Sequence, residues 1–237
     1  MFIKLTVATV LAALIGTKAL TIAEIQGTGF NSPYAGQAVT DVSGVVTAIG
    51  PSGIWIRSTK PDKDERTSES VYVFTGTSKT SIRTQVVVGQ TITIDGKVEE
   101  YRSSKDYLYL TEITGPKNLR ASNGTLQTVK PIVLDRKNQP PTQLYTSLDT
   151  NGDIFAIPNN ASLIETSGVK LEPSKYGLDF WESLEGELVT IKKPISLGFP
   201  NSYGDFWVRG GDWKVTGENG RGGLTLIPGQ FPVLHQL

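Results

Sequence analysis

The chain has 237 residues, with 23 Lys and Arg against 23 Asp and Glu, no cysteine and a single histidine, His235. The charge balance leaves no general basic excess to draw in a polyanion. The missing cysteines exclude disulfides, thiol nucleophiles and thiolate zinc cages. A lone histidine close to the C-terminal end likewise excludes a catalytic triad, an HExxH site or a His-based metal centre in the body.

Residues 1–19 read as a signal peptide: Lys4 gives a positive start, residues 5–15 are apolar, and Thr17-Lys18-Ala19 puts small residues where a signal peptidase reads. Cleavage after Ala19 and secretion to the extracellular space are the expectations. The apolar run is too short for a bilayer span, so no membrane association is expected.

Residues 20–118 read as one all-β module. Strands are predicted at 37–49, 54–57, 71–74, 90–100 and 107–113, separated by Gly, Pro, Asn and Ser. Five strands that must not leave open edges suggest an OB-fold-like antiparallel barrel. Along these strands the aliphatic residues (Ile54, Ile56, Val71, Val73, Leu108, Leu110) alternate with Trp55, Arg57, Tyr72, Phe74, Tyr107 and Tyr109. If the aliphatic face fills the barrel, the other face is a candidate nucleic-acid site, with rings to stack bases and Arg57 to meet phosphate. The competing reading is that the second half of the chain packs over these aromatics and makes the patch an internal interface. Asp62, Asp64 and Glu69 lie in an acidic-basic loop that reads as a solvated hairpin tip rather than a calcium site. Glu99 and Glu100, neighbours on a strand, read as surface charges.

Residues 119–223 read as a second, smaller β-rich module with a short helix. Its strands are predicted at 154–157, 187–192, 205–209 and 213–215, and its helix at 175–184, where Tyr176, Phe180, Trp181 and Leu184 share a side. Two sequons, at Asn123 and Asn160, are candidate glycosylation sites. Residues 224–237 form a proline-broken apolar tail. A motif recurs across the modules: Gly44-Val45-Val46-Thr47 leads to Trp55 and Arg57, and Gly186-Glu187-Leu188-Val189-Thr190 leads to Trp207 and Arg209. The recurrence predicts that 187–192 and 205–209 pair as a long hairpin, as the first copy would.

The run TIAEIQGTGFNSPYAGQAVTDVSGVVTAIGPSGIWIRS, followed by SESVYVFTG, VVVGQTITIDGKVEEY and LTEITGP, resembles the N-terminal region of secreted bacterial and fungal nucleases of the endonuclease/exonuclease/phosphatase superfamily. The resemblance covers about residues 21–116, and 131–223 is similar to the intervening region of the same proteins, where a stretch like LEGELVTI recurs. It implies an OB-fold-like module placed before a nuclease domain in full-length relatives. The family's catalytic histidines, aspartates and metal-binding glutamate have no matching positions here, so no catalytic or metal site and no cofactor is carried over. The expected function is the non-catalytic auxiliary part of an extracellular nuclease, binding single- or double-stranded DNA weakly. A structural spacer and a carbohydrate-binding module are the alternatives, and burial of Trp55, Tyr72 and Tyr107 separates the spacer from the binding readings.

Overall fold

The computed structural model describes residues 19–104, 107–142, 144, 146–148, 164–165, 168–202, 204–215 and 217–224. Residues 1–18 of the signal segment, the tail beyond 224, the predicted strand at 154–157 and Asn160 lie outside the described residues.

The chain enters through a five-residue helix, α1 (Ile22–Gln26), too short to persist by propensity alone. A capping box holds it: the Glu24 N–H donates to the Thr21 hydroxyl at 3.1 Å, and the Thr21 N–H donates to the Glu24 carboxylate at 2.8 Å. Ile22 and Ile25 then enter the main core. The strand-dominated pattern predicts no helix here; Thr21-x-x-Glu24 ahead of Ile25 is the signal it passes over.

Five strands follow: β1 (Ala38–Ile49), β2 (Gly53–Arg57), β3 (Ser70–Phe74), β4 (Thr91–Tyr101) and β5 (Leu110–Ala121). They close in the order β1-β2-β3-β5-β4, with β4 returning to β1, so the all-β fold and the OB-type barrel are present. The pairing departs from the wholly antiparallel expectation at one seam, since β3 and β5 run parallel, Tyr72 opposite Glu112 and Val73 opposite Ile113. The reason is geometric: an odd number of strands cannot alternate direction all the way round a ring. Ile54, Ile56, Val71, Val73, Ile94 and Ile113 fill the interior with no measurable exposure.

The last barrel strand starts later than the pattern predicts and runs further, through Gly115 and Pro116. A proline is tolerated there because the register jumps from Lys97 opposite Thr114 to Asp95 opposite Lys117, leaving Gly115 and Pro116 in a bulge. A second irregularity lies in β1 between Val39 and Val42. Asp95 ties the two together: its carboxylate accepts from the Asp41 N–H at 2.9 Å and from the Asn118 side-chain amide at 2.7 Å. Both partners have positive φ, 57° and 53°.

The second half is thinner. Strand β6 (Ile132–Leu134) pairs in parallel with β7 (Val189–Ile191), and β8 (Pro194–Ser196) pairs antiparallel with β9 (Val208–Gly210). Between β6 and β7 in the chain lies the predicted helix, shortened to α2 (Gly177–Glu182). Leu178 joins Phe30, Leu148, Ile164 and Leu171 in a second core cluster. The predicted long hairpin is corrected: 189–191 turns to β6, while the partner of 208–210 is 194–196, and no strand forms at 213–215. Lys193, at φ 49°, turns the chain between β7 and β8, so the hairpin is a separate element from the strand before it. The Gly…Trp-x-Arg recurrence therefore does not mark one unit used twice.

Two buried charges fasten this half. Asp179 has no exposure, and its carboxylate accepts from the Thr146 hydroxyl at 3.3 Å, the Ser147 N–H at 3.0 Å and the Glu172 N–H at 2.9 Å. Arg209, also buried, donates to the Gly210 and Gly222 carbonyls and to Glu218 at 2.6 Å, closing the loop after β9.

Candidate nucleic-acid interface

Strands β2 and β3 place Trp55 directly opposite Tyr72 and Arg57 opposite Ser70. The two rings pack at 4.8 Å with their planes tilted by 46°. Tyr72 lies across Gly53, where a Cβ would come within 2.3 Å of the ring, and its hydroxyl meets the Ser52 hydroxyl at 3.0 Å. Period-2 alternation thus assembles three of the predicted site residues, Trp55, Arg57 and Tyr72, on one face.

That face is covered by the chain itself. Residues 183–187, which follow α2, cross it as a strap. Arg57 Nε donates to Glu187 Oε2 at 2.8 Å, the Ser70 hydroxyl donates to the same oxygen at 3.1 Å, and the Glu69 N–H donates to Glu187 Oε1 at 3.3 Å. The Glu187 side chain keeps 2% of its surface exposed and that of Arg57 21%. One residue earlier Gly186, at φ 70°, turns the strap over Trp55. A Cβ at that glycine would lie 3.5 Å from the Trp55 ring and 3.6 Å from Ser70, while φ is in the region that favours glycine. The Ser68 hydroxyl donates to the Glu185 carbonyl at 2.6 Å, and Gln26 of α1 donates to the Ser70 carbonyl at 2.6 Å and to the Glu185 carboxylate at 3.2 Å. Trp55 is half-buried and Tyr72 buried in consequence.

The other predicted site residues part company. Phe74 ends β3 and is exposed. Tyr107 and Tyr109 precede β5 rather than lying on it. Tyr107 is exposed, whereas Tyr109 sits under the Arg102 guanidinium at 4.3 Å and donates its hydroxyl to Glu165 at 2.6 Å, beside the second core cluster. Asn123 is exposed.

Glu100, expected as a surface charge, is turned inward instead. One carboxyl oxygen accepts from the Ser32 N–H at 2.6 Å and the Thr111 hydroxyl at 3.0 Å, while the other is buried without a partner. Burial raises its pKa, outweighing those bonds. Glu185 meets the same residue, accepting from the Thr111 N–H at 3.1 Å, and burial pushes it up to about 8. Glu182, whose carboxyl makes no hydrogen bond among the described residues, is raised well above the usual range by burial and by Glu185, Glu100 and Asp179 nearby. No lysine or arginine pairs with any of these three among the described residues. Sequence reasoning missed Glu182 and Glu185: Glu182 falls on the side of the predicted helix away from Tyr176, Phe180 and Leu184, Glu185 lies just past its predicted end, and neither position carries a signal of burial.

The acidic-basic loop is bonded within itself at Asp62 and Asp64 but is not the wholly solvated tip expected: Glu69 is buried, with one carboxyl oxygen accepting from the Asp62 N–H at 2.5 Å and the other without a partner, and burial raises its pKa. Arg66 grips Asp64 through two bonds of 2.8 and 2.6 Å, which hold that carboxyl down at about 2. Asp62 accepts from the Asp64 N–H at 2.7 Å and from the Thr67 hydroxyl at 3.1 Å. Among the described residues no group of three or more His, Asp or Glu is arranged to hold a metal ion. No helix among them is long and apolar enough to cross a membrane.

No curated protein and no solved structure matches the chain. Residues 133–232, the segment beginning within β6 and containing α2, the strap and the β8–β9 hairpin, match a family described as a domain of unknown function, DUF8508.

Proposed function

We propose that this chain is a non-catalytic structural module of a secreted protein, in which the barrel acts as a platform for the second half and spaces it from whatever lies beyond. The reading keeps the auxiliary role implied by the resemblance to secreted nucleases and favours the spacer over direct DNA binding. The observation that carries it is the Arg57–Glu187 pair: among the described residues the one cation of the β2 and β3 strands, which a phosphate would need, is bonded at 2.8 Å to a carboxylate of the same chain. A polyanion would have to displace that carboxylate and the strap's bonds to Ser68, Glu69 and Ser70, and the chain's neutral net charge offers little steering to offset the loss.

Fluorescence anisotropy with labelled single-stranded oligonucleotides at low salt tests this reading. The expected result is no saturable binding up to high micromolar protein. Binding that weakens with salt and is reduced by Trp55→Ala would overturn the spacer reading in favour of an open stacking platform.

A further inference from the structure

The strap is fixed to the barrel at two places of opposite electrostatic character. At Glu187 a carboxylate meets a cation, Arg57. One turn earlier, carboxyl groups from both sides of the contact converge, Glu100 from β4 and Glu185 from the strap, with Glu182 at the end of α2 close enough for their charges to raise it. Glu100 and Glu185 converge on Thr111, the first through its hydroxyl and the second through its N–H. One oxygen of Glu100 is buried with nothing to bond it.

The charged and titratable groups around the cluster supply no compensation. From α2 comes Asp179, another carboxylate, engaged by Thr146, Ser147 and Glu172. From α1 comes neutral Gln26. From the segment before β5 comes Tyr109, covered by Arg102, which is itself paired with Glu165. From β5 comes Glu112, raised by burial and by Glu99, while Glu99 is bonded to Lys97 at 2.8 Å. Arg57 is held by Glu187. Like charges confined this way cannot all ionise while the contact stays closed.

We infer that the contact between the strap and the barrel is a proton-operated latch, closed when Glu100, Glu182 and Glu185 retain protons among them and loosened when all three are ionised. The inference rests on the reading of the β2–β3 face as covered by the strap, and it adds a condition under which the cover lifts. The direction follows from linkage. A glutamate freed from the contact ionises near pH 4.3, whereas the docked Glu185 holds its proton up to about pH 8. Between those values the undocked state binds fewer protons, so docking weakens as pH rises through this window and its full contribution is present only below it. The carboxyl groups that are lowered in the fold, Asp64, Asp95, Glu99 and Asp135, act in the opposite sense and at more acid pH, outside the window, whereas Glu69 and Glu112, raised by burial, act in the same sense and are left in place by the variant below.

Thermal unfolding of the full chain at pH 5 and pH 8.5 tests the latch, with the double variant Glu182→Gln, Glu185→Gln beside the wild type. The wild-type Tm is expected to fall by about 4 °C or more between the two pH values, and the variant to lose at least half of that fall. A flat or rising wild-type Tm, or an unchanged slope in the variant, overturns the inference. Should the variant fail to fold, amide exchange of the wild type gives an independent answer, because the Thr111 and Glu69 N–H groups donate to Glu185 and Glu187 of the strap. Their protection factors are expected to drop at least tenfold at pH 8.5 while that of Val71 holds. Equal protection at both pH values leaves the cover in place and removes the latch; no protection at either removes both.

Discussion

Among the described residues the barrel's core joins fourteen buried apolar side chains, two of them from α1, whereas the cluster of the second half joins five, one of which, Phe30, comes from before the barrel. The barrel's strands are five to twelve residues long and close on themselves; those of the second half are three residues long and pair in twos. Isolated two-stranded sheets of that length are marginal. What the barrel gains from burial, the second half obtains from hydrogen bonds to Asp179 and Arg209 and from the barrel surface on which it leans. One chain therefore holds two kinds of order, one resting on non-directional apolar contact and one on directional bonds that a single substitution removes.

The largest expected effect falls on the apolar side of this comparison. Ile56→Ala deletes a fully buried barrel side chain and is expected to cost about 2–5 kcal/mol of unfolding free energy, seen as a lower urea midpoint in both halves. If only the second half unfolds early, the barrel is not its platform. Next comes Asp179→Ala, which removes the partner of the Ser147 and Glu172 N–H groups and of the buried Thr146 hydroxyl, at about 1–3 kcal/mol. Amide exchange should speed up at Ser147 and Glu172 while Val71 and Ile92 keep their protection. Uniform loss across the barrel would erase the distinction between the halves. The smallest change is expected from Tyr107→Ala, within about 0.5 kcal/mol of the wild type in the same urea titration, because Tyr107 is exposed. A larger cost would place it in a contact.

How far the sequence discloses this arrangement depends on whether the forces involved are local. Alternation of Ile54 and Ile56 with Trp55 and Arg57 is set by the pleat of one strand, so strands, barrel and the shared face of Trp55, Arg57 and Tyr72 are legible in the residues. The extension of β5 through Pro116 is not, because it depends on a bulge pinned by Asp95 from another strand. Glu187 reads in sequence as a polar strand residue beside Gly186. Its bond to Arg57 depends on a fold that brings together residues 130 positions apart. The inward turn of Glu100 has the same cause, since Ser32 and Thr111 approach it from other elements. Tyr107 and Tyr109 alternate as a strand would, but neither enters β5, and Tyr109 is drawn instead to Arg102 and Glu165.

The separation of 130 residues between Arg57 and Glu187 also bears on the order of events in time. Before β2 and β3 lie side by side there is no surface on which Arg57, Ser68 and Ser70 present themselves together, so the strap has nothing to bind until the barrel has closed. The entropy of closing so long a loop grows only slowly with its length, but it is recovered last. Bonds that form after the rate-limiting step leave the folding rate almost untouched and act on the rate of escape from the native state. If the strap's bonds form after that step, the strap is a brake on unfolding, and where cleavage of opened chains outpaces reclosing that brake governs how long the barrel lasts.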